Sequence, residues 1–291
     1  MDDSYDIQME AKSFLPYRMG YLTEWMIEKA KEELNETDEN RIQAIAELKR
    51  LIAKKKTIDV PNDDLYLLQF LRARKFHPVR AMEVIKNLYA LFEEFSDIYP
   101  KNLDLEQVKH LMDTGSGSVL PYRLKDGGAI FFLKPANWDP DKISSKIGIS
   151  AITGMLLSIA VDPATQVCGV HFIYDATLNW KHFKVTTRRY LELYSKILRN
   201  TLPIRINAVH VVNESTIFRY LFNILRMFLS NKITKRFHFH GSDMEHLHKY
   251  IPKECLPPDY GGDNISYSAS DFCKKEMLPF LERYSEMFYK S

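Results

Sequence analysis

The chain has 291 residues, 45% hydrophobic and 27% charged, a globular composition long enough for a large domain with a helical extension. A net charge of +2 argues against a strongly basic nucleic-acid binder. The three cysteines, Cys168, Cys255 and Cys273, form no CxxC pair and cannot all pair within one chain, which points to a reducing, cytosolic setting.

The opening MDDSYDIQME is acidic and polar, without the basic and apolar regions of a signal peptide, and residues 1–20 read as a loose leader. Apolar residues recur at helical spacing from Tyr21 to Leu34 and from Glu39 to Lys56, the second run turning Ile42, Ile45, Leu48, Leu51 and Ile52 inward. Pro61 to Asp64 supplies a turn and an N-cap. The helix that follows, DLYLLQFLRARKF, places Leu65, Leu68, Phe70 and Leu71 inside. Pro78 suits the first position of VRAMEVIKNLYALFEEF, which Tyr99-Pro100 ends, so the first hundred residues are expected to be all helical.

The pattern then changes. AIFFL (129–133), VCGVHFIYD (167–175), INAVHVV (206–212) and FHFH (237–240) are short and rich in β-formers, with helical patterns at 145–161 and 184–200 between them. This alternation predicts an α/β domain with a mostly parallel sheet, and the unbroken apolar strands predict burial on both faces. Gly115 to Ser118 reads as a loop, Leu256 to Gly262 as a loop of turn formers, and 270–290 as a last amphipathic helix. The longest greasy run, Ile147 to Val161, is broken by Ser150, Thr153, Gly154 and Ser158 and falls short of the ~20 residues of a spanning helix, so any membrane contact is expected to be peripheral.

The segment STIFRYLFNILRMFLS (215–230) is unusual. Arg219, Asn223 and Arg226 form one narrow polar stripe and the rest of the wheel is apolar, well beyond the ~100° apolar face of an ordinary surface helix. Two readings fit: a helix buried in the core, or a helix with two greasy sides, one over a cavity and one for lipid. Between Lys196 and Arg236 stand eight Lys or Arg and one acid, Glu214, a net +7 that favours the second reading. The pairs His238/His240 and His246/His248 offer no third converging ligand, so no metal is expected. There is no GxSxG, no GxxxxGK[ST] and no GxGxxG after a strand, and Asp175, at a strand end, lacks a paired base, so its expected role is a structural hydrogen bond. The residues promise a cavity and a docking surface without a reaction, a cofactor or a metal.

Several stretches taken together resemble the CRAL-TRIO (Sec14-like) lipid-binding family: DDLYLLQFLRARKFHPVRAMEVI, GVHFIYDAT, INAVHVVNESTIFRYLFNILRMFLSNKITKRFHFHG and LPPDYGGD. The likeness covers roughly residues 40–265 and is nearest to the subgroup of α-tocopherol transfer protein, cellular retinaldehyde-binding protein and the clavesins. It implies a helical N-terminal domain (1–100), a lipid-binding domain (101–275) whose flanked sheet encloses a pocket closed by a gate helix, and a C-terminal helix (276–291). It also implies a non-enzymatic, cytoplasmic carrier, reversibly membrane-associated and monomeric, that binds one hydrophobic ligand and phosphoinositide headgroups but no nucleic acid. Carried over by position, the pocket would be lined by Tyr194, Ile197, Leu198, Phe218, Phe222 and Leu225, with Val170, Phe172, Ile152 and Leu156; Phe131 and Leu133 join them on strand period alone. The headgroup site would use Arg205, Lys232 and Arg236 with an arginine of FLRAR, either Arg72 or Arg74. Thr234 replaces a lysine of the family pattern, and Lys235 stands where an acid is usual. Tyr174, Tyr194, Ser158 and Thr153 are candidates for reading the polar end of the ligand. The alternative is a phosphoinositide-binding sensor or scaffold that transfers no cargo.

Overall fold

The computed structural model describes residues 3–55, 58–101 and 103–288. Strands β1 (Gly117–Val119), β2 (Ala129–Leu133), β3 (Val170–Asp175), β4 (Ile206–Val212) and β5 (Phe237–Phe239) form one sheet in that spatial order. β1 runs antiparallel to β2 and the other neighbours are parallel. The register sets two apolar rows on one face: Phe131–Phe172–Val209–Phe237 and Leu133–Tyr174–Val211–Phe239. Because side chains alternate along a strand, the row between them, Phe132–Ile173–His210–His238, faces the other way. Each face carries its own hydrophobic core.

The helices before the sheet are α1 (Asp3–Ala11), α2 (Glu24–Leu34), α3 (Asp38–Ala53), α4 (Asp64–Ala73), α5 (Pro78–Glu94) and α6 (Leu105–Asp113). Side-chain caps fix several starts: Thr37 accepts from the Asn40 N–H at 3.1 Å and Asp63 from the Tyr66 N–H at 2.9 Å. The end of the α3 pattern at Lys56 lies outside the described residues. Two inward assignments are corrected. Ile42 and Leu65 are exposed, because at 100° per residue they fall off the arcs set by Ala44 and Leu48 in α3 and by Leu67, Leu68 and Leu71 in α4. The described part of the expected loose leader is instead folded. Tyr5, Met9 and Phe14 enter the core on the far face of the sheet, and Tyr17 is buried in the larger core with its N–H donating to the Pro121 carbonyl.

After β2 come α7 (Ser145–Ala160) and α8 (Pro163–Cys168), then, beyond β3, α9 (Trp180–Val185) and α10 (Arg188–Asn200). The expected strand 167–175 therefore starts three residues late. Asp162 caps α8 at its N-terminus, and Gly169, at φ +81°, turns the chain out of it. A Cβ at Gly169 would lie 2.7 Å from the Arg205 carbonyl oxygen, so the close approach of the chain before β4 requires the glycine. α11 (Thr216–Arg226), α12 (Asn231–Thr234) and α13 (Met244–His248) complete the sheet side. α14 (Ala269–Phe288) packs on β1, α6 and α7, and the expected boundary at 275/276 falls inside it.

Candidate functional site: a closed aromatic helix beside a basic corner

Helix α11 starts at Ser215, whose hydroxyl oxygen accepts the Phe218 N–H at 3.1 Å and the Leu178 N–H at 3.2 Å. Its inward face is Phe218, Leu221 and Phe222, all buried. Phe218 sits over Tyr174 with ring centroids 5.5 Å apart, and Phe222 meets Phe237 at 5.0 Å and Phe239 at 5.2 Å. Both apolar rows of the sheet thus end under this helix. The outward face is different: Tyr220 is 56% and Met227 79% exposed. Beside Tyr220 lies a shelf in which Trp180, also exposed, stacks on Phe183 at 4.7 Å. The helix is therefore packed on one side, and its solvent side sets Tyr220 and Met227 beside the polar Arg219, Asn223 and Arg226. The polar stripe Arg219, Asn223 and Arg226 borders a groove of about 440 Å³ at the free edge of β5, floored by Phe218, Phe222 and Phe239.

The expected pocket residues fall in graded positions. Phe218 and Phe222 line the groove, while Phe131, Val170, Leu156 and Phe172 are buried in the larger hydrophobic core. Leu133, Ile152, Tyr194, Ile197 and Leu225 are partly buried and pack against that core. Leu198 is partly buried on α10. Among the polar candidates, Thr153 and Ser158 turn back on their own helix, donating to the Ile149 carbonyl at 2.9 Å and the Met155 carbonyl at 2.7 Å. Tyr174 and Tyr194 behave differently. Burial raises both phenols well above the ordinary range, and the neighbouring Tyr194 raises Tyr174 further, so the two hydroxyls share one apolar environment and stay neutral donors.

The basic corner is made by α12. Ser230 caps it and Ile233 is buried, which turns Lys232 and Lys235 outward. Among the described residues no acid pairs with Lys232, Lys235 or Arg236. Arg236 is pushed below its ordinary value first by burial and then by the charge of Arg205, which places the two guanidinium groups near each other. Arg205 is itself partly spoken for: it pairs with Glu33 at 2.9 Å and donates to the Val167 carbonyl. Lys196 pairs with Glu94. The local excess of +7 is thus reduced by acids from the helical N-terminal part, and the open charge is concentrated at 232–236.

Arg72 is a correction to the expected headgroup set. Its guanidinium is buried, donating to Glu36 at 2.7 and 2.8 Å and to Gln166 at 2.7 Å, so its nitrogens are committed to joining α4 with α8 and the α2–α3 turn. Arg74 bonds Asn200 Oδ1 at 2.8 Å and its own chain at the Ala73 carbonyl; burial lowers it. Asp175 has the structural role expected of it. It is buried, accepts from Thr177 at 2.6 Å and Asn213 at 3.3 Å, and takes the Tyr260 hydroxyl at 2.8 Å. The strand end is so tied to the closing loop, where a Cβ on Gly262 would lie 2.0 Å from the Leu256 carbonyl oxygen. Tyr260→Phe is expected to cost about 1.5–3 kcal/mol in a urea melt, the worth of a hydrogen bond to a carboxylate; a loss below ~0.5 kcal/mol would show the bond to be incidental.

Comparison with known proteins agrees with this architecture. The CRAL/TRIO domain model matches residues 113–262. The human α-tocopherol transfer protein-like protein is 34% identical over 256 residues, covering 85% of this chain and 73% of its own. Clavesin-1 of Rattus norvegicus is 30% identical over 257 residues, covering 87% and 72%. The crystal structure of Sfh5 superposes with a TM-score of 0.50 at 14% identity, over 86% of this chain and 98% of that one. The chain belongs to the CRAL/TRIO family of lipid-binding proteins. Among the described residues no helix is long and apolar enough to cross a membrane.

Proposed function

We propose that this protein is a cytoplasmic carrier for one hydrophobic molecule, held between the sheet and α11 and exchanged when α11 opens at a membrane bearing phosphoinositides. The observation that carries the reading is the two-sided helix: aromatic packing of Phe218 and Phe222 on the sheet, solvent-exposed Tyr220 and Met227 on its back, and an acid-free basic corner one turn beyond its end. The family and the relatives named for tocopherol transfer support a lipid cargo. Closed, the helix shields cargo from water; burying ~500 Å² of a lipid is worth on the order of 12 kcal/mol before entropy costs, so escape into water is slow. At an anionic leaflet each cation of the corner contributes about 1 kcal/mol. The exposed face of α11 then gains contacts with lipid that water cannot offer, and the open population rises. Tyr174 and Tyr194 are the groups best placed to read a polar end of the cargo.

The domain division proposed is a helical N-terminal part (1–100), a lipid-binding part (101–275) and the terminal helical segment (276–291), acting as a monomer. Arg205, Lys232, Lys235 and Arg236 form the headgroup site, with Arg74 at its margin. Replacing Lys232, Lys235 and Arg236 together by Glu is expected to weaken binding to phosphoinositide vesicles by at least about a hundredfold, since some 3 kcal/mol of attraction is removed, while retention of cargo in solution stays unchanged. Vesicle co-sedimentation reads this. Unaltered binding would remove the corner from the mechanism. A protein that docks on vesicles but never moves lipid between them would instead be the sensor or scaffold.

A further inference from the structure

β5 is a three-residue edge strand with one sheet neighbour, and its two faces do different things. Phe237 and Phe239 seat Phe222 of α11. On the reverse, His238 and His240 join His210 of β4, His171 of β3, His246 of α13 and the ring of Tyr250. His210 stacks against His171, His238 and His240 at 5.3–6.0 Å between centroids. A chain of imidazoles runs through it: His210 Nδ1 lies 3.1 Å from His240 Nε2, and His240 Nδ1 lies 2.9 Å from His246 Nδ1. Each of these contacts holds a single proton. One added proton can be shared by His240 donating both ways, but a second sets two N–H groups face to face. His210 is fully buried and its Nε2 has no partner, so a charge there finds no compensation.

The geometry points to an acid-sensitive latch: protonation of this histidine cluster expels β5 and α13 from the sheet and thereby unseats α11. The link to cargo rests on the reading of α11 as a gate. The acids around the cluster are few. Asp126, before β2, bonds His171 Nε2 at 3.0 Å; Glu214 and Asp243 act on His240 but are occupied by the Gly241 and His246 N–H groups. Burial, followed by the neighbouring histidines, lowers His210 to about 3 and His240 to about 4, against an ordinary 6.5. The sign follows from that depression. The closed state is fully stable above pH 6.5, and loses stability as pH falls from 6.5 toward 4, where the released histidines take up protons and the packed ones do not. Two such groups raise the open-to-closed ratio by at most about a hundredfold per pH unit in that window.

Hydrogen exchange of the full chain at pH 7.0 and 5.0, corrected for intrinsic rates, tests this. Protection at 236–250 and at 216–228 is expected to fall at least about tenfold more than at 129–133. In the double variant His240→Gln, His246→Gln about half of that pH dependence is expected to vanish, the share of His240, while His210 keeps its own. Ring-proton NMR of the unmodified protein is the second reading: His210 and His240 should remain neutral at pH 5.5. The latch is overturned if those rings titrate near 6.5, or if 236–250 loosens while 216–228 does not. Neither measurement needs a bound lipid, so failure to find cargo would end the carrier reading and leave this result standing.

Discussion

Asp162→Ala is expected to destabilise the protein by about 3–5 kcal/mol, the cost of leaving a buried charge unpaired. Asp162 and Arg123 form an ion pair at 2.8 Å with both side chains fully buried. The carboxylate does more than neutralise. Oδ1 accepts the Ala164 and Thr165 N–H groups that start α8, and Oδ2 accepts the Met19 and Gly20 N–H groups. Arg123 in turn donates to the Tyr17, Gly127 and Thr165 oxygens. One pair therefore holds the N-terminal segment, the turn before β2 and the start of α8 together. Burial lowers Arg123, and Asp162 opposes that fall, so the guanidinium keeps its charge and needs its partner. Urea melts with an unchanged m value would read the loss. Replacing both residues by apolar ones, Arg123→Met with Asp162→Leu, is expected to remove only the orphaned-charge part of the loss, because the Met19, Gly20, Ala164 and Thr165 N–H groups stay without their acceptor. A single-variant loss below ~1 kcal/mol would show that the pair is dispensable.

Phe222→Asp has the second large effect, and it falls on function. Phe222 touches Phe218, Phe237 and Phe239 and is the main tie between α11 and the edge of the sheet. Removing a buried phenyl ring costs about 3–5 kcal/mol, and a carboxylate in its place cannot be buried there. The closed position of α11 loses that packing while the rest of the core is untouched. Release of a bound fluorescent apolar probe should accelerate by at least about a hundredfold, with a much smaller shift in global melting. An unchanged release rate would make α11 a fixed part of the core.

Much of this was legible beforehand. AIFFL and INAVHVV coincide with β2 and β4 because continuous apolar strands flanked by helices have few other fates. The period of two along those strands also assigned Phe131 and Leu133 to the face that α11 covers. β1 was hidden, since Gly117-Ser118-Val119 has little strand propensity and is held by its antiparallel pairing with β2. α8 was hidden behind the β-formers of VCGV, although Asp162-Pro163 and Gly169 are start and stop signals in plain view. The choice between Arg72 and Arg74 could not be made locally. Arg72 is consumed by Glu36, thirty-six positions earlier, and no spacing rule reveals a partner that only the tertiary fold supplies. The same holds for Glu33 and Glu94, which neutralise part of the basic run.

The most direct test places an environment-sensitive label on α11 itself. Cys168, Cys255 and Cys273 are buried, and Met227 is 79% exposed, so Met227→Cys gives a selective attachment point. With an apolar fluorophore loaded as cargo, label and cargo are followed together on mixing with vesicles of phosphatidylcholine, with and without phosphoinositide. A moving gate predicts that the label enters an apolar environment at the rate at which cargo leaves, and that both events are much faster with phosphoinositide present. Cargo that leaves at full rate while the label stays in water would contradict it.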